Sequence, residues 1–156
     1  MSTNLKRIIF VVAAVLLIAQ QLAAGTQQAK RPITETDLFE FNWIGDPRIS
    51  PDGTEVVFSR AAPNKDRTGY DSSIWMVDMG GQKAPIEILT GNVGSARWSP
   101  DGQWLVYRRD GQLALYSLTT RTSSTITDIP GGAGNPIWSP DGRQLLFFNS
   151  TPDISS

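Results

Sequence analysis

The side chains best placed to do chemistry recur in three corners, Ser50-Pro51-Asp52-Gly53, Ser99-Pro100-Asp101-Gly102 and Ser139-Pro140-Asp141-Gly142. Each sets a hydroxyl two residues from a carboxylate. Gathered in one cleft, Asp52, Asp101 and Asp141 would make a metal or acid–base site. Their spacing argues against that. The aspartates stand 49 and 40 residues apart, and each lies in a sequence built to turn: Pro presets φ, Asp bonds its own backbone, and Gly accepts a positive φ. A type I turn followed by a left-handed glycine closes a three-residue hairpin loop. Pro51, Asp52, Gly53, Pro100, Asp101, Gly102, Pro140, Asp141 and Gly142 are therefore expected as structural turns. No catalytic, cofactor-binding or metal-ligating residue is assigned.

Other groupings have equally plain readings. Arg108-Arg109-Asp110 would suit a peptide carboxylate but reads as a surface cluster beside a turn. Gly131-Gly132-Ala133-Gly134-Asn135 looks like a phosphate loop, yet it precedes a strand and so lacks the positive helix end that phosphate binding exploits. Glu35, Asp37 and Glu40 read as a solvated acidic face. Asn149-Ser150-Thr151 fits the N-glycosylation pattern, which matters only in a eukaryotic secretory pathway. Trp98, Trp104 and Trp138 keep register with the corners and are expected to pack between repeats. Trp43 and Trp75 stand outside that register and stay open as binding candidates.

Composition removes whole classes of activity. The 156 residues include no His and no Cys, and 14 Lys+Arg balance 15 Asp+Glu. No Ser–His–Asp triad can be completed from these residues. Disulfides, cysteine zinc sites and thiol catalysis are excluded. So even a charge balance argues against a nucleic-acid partner. The chain is expected to be non-catalytic and free of cofactors.

What must position the corners is a repeat. A period of about 40–50 residues is that of propeller blades. Each corner joins an apolar or aromatic residue to a β-rich run, at 55–59 and 104–107. Further strands are expected at 74–79, 86–90, 113–118 and 123–127. Four short strands per unit make an antiparallel propeller blade. The first unit is longer, and an extra loop of about ten residues is expected within 61–72, around Pro63-Asn64-Lys65-Asp66-Arg67. Thr34-Glu35-Thr36-Asp37 reads as the capping signal of a short helix. The expected fold is all-β: a partial β-propeller of two four-stranded blades plus part of a third, after an N-terminal signal helix. A ring takes typically four to eight blades, so the chain reads as the amino-terminal piece of a longer protein.

The leader is an address. Lys6 and Arg7 precede the apolar run 8–19, and small residues follow at Ala23-Ala24-Gly25. That order is a secretory signal peptide, and its core is shorter than the roughly 20 apolar residues of a membrane span. The expected organisation is a signal peptide at 1–29, a lead-in at 30–44 and a partial propeller at 45–156, with blades at about 45–91, 92–129 and 130–156. The exported protein would be periplasmic or extracellular. An uncleaved anchor is the alternative, and with it the one membrane contact foreseen.

The repeats carry a family resemblance. Trp98-Ser99-Pro100-Asp101-Gly102 and Trp138-Ser139-Pro140-Asp141-Gly142 are similar to the WD40-like repeats of TolB-like propellers. Thr34-Glu35-Thr36-Asp37-Leu38-Phe39, followed by Gly45-Asp46-Pro47-Arg48-Ile49-Ser50-Pro51-Asp52-Gly53, resembles the start of the propeller in prolyl oligopeptidase family serine peptidases, of the acylaminoacyl- and dipeptidyl-peptidase type. The resemblance covers about residues 33–149. It implies a propeller that restricts access of short peptides to an α/β-hydrolase domain bearing Ser, Asp and His. No Gly-x-Ser-x-Gly elbow occurs here, nor the Glu-Glu pair with which the dipeptidyl branch holds a substrate amino terminus. The implied partners are further C-terminal blades, the hydrolase domain and short peptides. The alternative is a TolB-like periplasmic propeller acting as a protein–protein interaction module.

Overall fold

The computed structural model describes residues 31–149. The expected signal peptide lies outside the described residues. A short 3₁₀ helix, Glu35–Glu40, leads into ten strands: β1 (Trp43–Ile49), β2 (Glu55–Pro63), β3 (Tyr70–Asp78), β4 (Ile86–Thr90), β5 (Val93–Trp98), β6 (Trp104–Arg109), β7 (Gln112–Ser117), β8 (Ser123–Thr125), β9 (Gly134–Trp138) and β10 (Leu145–Phe148). They form two four-stranded sheets in plain meander order, β1-β2-β3-β4 and β5-β6-β7-β8, and a hairpin β9-β10. All neighbouring strands run antiparallel. The fold is an all-β partial propeller.

Successive sheets stack face to face. β5 packs against β1, β2 and β3, while β9 packs against β5, β6 and β7. The first strand of each blade thus lies beside the first strand of the next, which makes β1, β5 and β9 the hub side of a fan.

Side-chain alternation explains why the middle blade reads so apolar. Leu105 and Tyr107 of β6, with Ala114 and Tyr116 of β7, close onto Val57, Ile74 and Leu89 of the first blade. The intervening Val106 and Leu113 point the other way, onto Ala133, Trp138, Leu145 and Phe147. A strand covered on both faces must be hydrophobic at every position rather than at every second one. Two of the first strands, β1 and β9, carry prolines, Pro47 and Pro136. Each has a free sheet edge on its hub side, where a missing N–H breaks no ladder.

Two expectations are corrected. The extra length within 61–72 is not a loop. β2 and β3 pair without interruption from Glu55↔Asp78 to Pro63↔Tyr70, so the insertion prolongs the hairpin. Only its tip turns, held by Asn64, whose Oδ1 accepts from the backbone N–H of Thr68 at 2.9 Å and of Gly69 at 3.3 Å. The strand expected at 123–127 stops at Thr125. The Thr127 hydroxyl instead accepts from the Leu113 N–H and donates to Gln112 Oε1, both at 2.8 Å, replacing a ladder bond with a side-chain latch. Trp104, as expected, stands at a blade seam: at the start of β6 it lines the cleft between the second and third blades with Trp138, Pro140 and Gly142, and keeps 40% of its surface exposed.

Candidate functional site

The three corners are the same structure three times. Ser50, Ser99 and Ser139 donate their hydroxyls to Oδ1 of Asp52, Asp101 and Asp141 at 2.6, 2.5 and 2.6 Å. Each hydroxyl also accepts, at 2.9 Å, from the backbone N–H five residues on, at Glu55, Trp104 and Gln144. The same aspartate oxygens accept from the N–H of Thr54, Gln103 and Arg143. Gly53, Gly102 and Gly142 turn the chain at φ of 74°, 71° and 70°.

In each corner the serine hydroxyl and one carboxylate oxygen, Oδ1, are thus engaged in holding the hairpin. The serine hydroxyls first, and the backbone N–H groups second, hold the three carboxyls below the ordinary aspartate range. Among the described residues no cluster of three or more potential ligands could hold a metal ion.

The corners also stack. A Cβ on Gly102 would meet the ring of Pro51 at 3.7 Å, and one on Gly142 the ring of Pro100 at 3.6 Å. Beside each contact an indole reaches back one blade. Trp98 Nε1 donates to the Arg48 carbonyl at 3.0 Å, and Trp138 Nε1 to the Arg97 carbonyl at 3.2 Å.

Sequence reasoning missed a second repeated feature. Asp46, Ser95 and Asn135, each four residues ahead of a corner serine, adopt φ of 50°, 54° and 48°. In all three blades the register between the first two strands shifts at this point. The signal was present as Gly45-Asp46, Gly94-Ser95 and Gly134-Asn135: a glycine followed by a short polar residue, the type that best tolerates a left-handed backbone.

At the first bulge the polar residue does more than turn. Asp46 accepts from Arg48 at 2.7 Å and from Arg97 of the next blade at 2.6 Å. Arg48, Arg97, Trp98 and Ile137 line a cleft of about 400 Å³ that crosses the first strands of all three blades at their corner end.

The remaining sequence candidates are dispersed. Asp110 sits in the β6–β7 turn and accepts from Asn92 Nδ2 at 3.0 Å, while Arg109 lies over the Tyr107 ring. The glycine-rich segment spends its N–H groups on protein carbonyls, Gly132 on Ile129 and Ala133 on Gly111. Asn149 donates its amide to the carbonyls of Pro130 at 3.0 Å and Gly132 at 2.6 Å, so a glycan there would displace both bonds. Glu35, Asp37 and Glu40 belong to a 3₁₀ helix with no buried residue. Trp75 is half-buried beneath Arg60, and Trp43 is exposed.

Comparison with known proteins fits this geometry. The model of the dipeptidyl peptidase IV (DPP IV) N-terminal region matches residues 50–137, more than half of the chain. The chain belongs to this family. The match takes in the first corner, strands β2 to β4 of the first blade, the whole second blade and β9 up to Ile137. Among curated proteins, the chain is 34% identical over 107 residues to the uncharacterized peptidase YuxL of Bacillus subtilis, which covers 65% of this chain and 16% of that peptidase. Two solved structures share the fold. The acylaminoacyl peptidase of Pyrococcus horikoshii aligns over 70% of this chain and 17% of its own, with a TM-score of 0.60 and 20% identity. The β-propeller domain of the trilobed protease from Pyrococcus furiosus aligns over 69% and 33%, with a TM-score of 0.56 and 24% identity. The chain thus spans a small part of the peptidases it is similar to, and that part is propeller.

Proposed function

We propose that these blades serve as the peptide-filtering propeller of an exported prolyl oligopeptidase-type serine peptidase, with hydrolysis carried by a separate α/β-hydrolase domain. One observation carries the reading: the matched family is the N-terminal region of a peptidase, and the chain's similarity to the peptidase YuxL agrees with it. The corners are compatible with it, because their serines and aspartates hold hairpins in every blade. A rigid wall of stacked blades acts by excluding folded substrates and orienting short ones. Export rests on the basic and apolar leader of residues 1–19. Among the described residues, no helix is long and apolar enough to cross a membrane.

The test uses an antibody raised against this chain. In the source cell it should recover, from the exported fraction, a polypeptide that a fluorophosphonate labels and that cleaves short blocked peptides while sparing folded proteins. Recovery without label would sink the peptidase assignment and favour a TolB-like interaction propeller. Recovery from the cytosol alone would sink export.

A further inference from the structure

We propose that the cleft across β1, β5 and β9 is a binding site for a peptide carboxylate, with Arg48 and Arg97 as its anion-recognising pair. Two guanidinium groups share one carboxylate there, Asp46, leaving a net positive charge at the hub. Arg48 engages Asp46 through Nε and Nη2, and Arg97 uses Nη1 on Asp46 and on the Ala96 carbonyl. Among the described residues, Arg48 Nη1 and Arg97 Nε and Nη2 are left over as donors in a cleft both residues line. Guanidinium donors in a fixed fork are suited to a carboxylate.

The scaffold does not need this cluster. At the seam between the second and third blades, Ser95 and Ile137 occupy the positions of Asp46 and Arg97, and the Trp138 indole bond, the counterpart of the Trp98 bond at the first seam, forms with no ion pair at those positions. Blade stacking therefore explains the indoles and the bulges, and leaves the arginines unexplained. The walls define the rest of the ligand. Trp98, Trp138, Ile137 and Pro136 give the cleft an apolar side next to the charge. That combination of a few placed polar groups within apolar walls is typical of ligand sites. It fits a short peptide whose free carboxyl terminus follows an apolar residue.

This inference deepens the peptide-filter reading, yet its test needs no hydrolysis. The 156-residue chain, ¹⁵N-labelled, is titrated with acetyl-Leu-Phe as the free acid and as its carboxamide. The acid should shift the indole N–H signals of Trp98 and Trp138 saturably, leaving those of Trp43 and Trp75 in place. The carboxamide should bind roughly tenfold more weakly, and Arg48→Gln should weaken the acid by a similar factor. Arg48→Lys, which keeps the charge and loses the fork, should recover part of that loss. Acid and carboxamide binding alike would overturn the proposal, as would an unchanged affinity in Arg48→Gln with the wild-type spectrum otherwise intact. If neither peptide binds while the fluorophosphonate label stands, the cleft assignment alone falls. If the acid binds and no label appears, the carboxylate site survives on a propeller without peptidase chemistry.

Discussion

The hydroxyl of each corner serine does two jobs, donating to the aspartate and accepting from the strand that follows. Ser99 is buried, so Ser99→Ala strands the Trp104 N–H and frees the Asp101 carboxylate of its nearest donor. A loss of about 1–2 kcal/mol in urea unfolding is expected. The aspartates set an acid limit. Their carboxyls are held below the ordinary aspartate range in the fold. Such groups favour the native state fully above the unfolded pKa, and the contribution disappears as pH falls through the folded one. Stability should therefore decline below about pH 4, and Asp101→Asn should flatten that decline in urea midpoints measured against pH. An acid limb unchanged in the Asn variants of all three corners would contradict this. Tyr107 supplies the opposite case: it is fully buried and, among the described residues, its hydroxyl has no hydrogen-bond partner. Tyr107→Phe should leave the unfolding midpoint unchanged or raise it, since no bond is lost. A drop of more than about 1 kcal/mol would mean that a water satisfies the hydroxyl.

Among the elements, the hairpins were legible because their causes are local. Pro, Asp and Gly at fixed offsets dictate a turn without reference to anything distant, and the flanking β-rich runs name the strands. The bulges of Asp46, Ser95 and Asn135 were written in the same register, but a polar residue after glycine also describes any loop. The longer first hairpin was hidden by Pro63, which looks like turn chemistry although the ladder from Glu55 runs up to it, the turn itself beginning only at Asn64. The Arg97–Asp46 bridge was beyond reach of local reasoning, because its partners are 51 residues apart and meet only when blades stack. One close approach between blades can be tested directly. Gly132 has φ of 83°, and a Cβ there would lie 2.7 Å from the Gly111 carbonyl oxygen. Gly132→Ala should cost about 1–3 kcal/mol through backbone strain alone, more with the clash, and should loosen the third blade first. A Gly132→Ala midpoint equal to wild type would show that the loop yields.

For the fan as a whole, burial is uneven, and local stability should follow it. β6 and β7 are sandwiched between neighbours, whereas Ile137, Leu146 and Phe148 expose more than half of their surface on the outer face of the third blade. Native-state hydrogen exchange should find the slowest amides in β6 and β7 and the fastest strand amides in β10. Uniform protection across all ten strands would contradict that gradient and point to a partner seated on the outer face.

The backward reach of the indoles gives the stack a direction. Trp98 and Trp138 each donate to a carbonyl that was synthesised about a blade earlier, and the second and third corner glycines, Gly102 and Gly142, settle on prolines already in place. Every acceptor precedes its donor in the order of translation. A wedge emerging from the ribosome thus meets a finished surface, and assembly can proceed vectorially without waiting for distal chain.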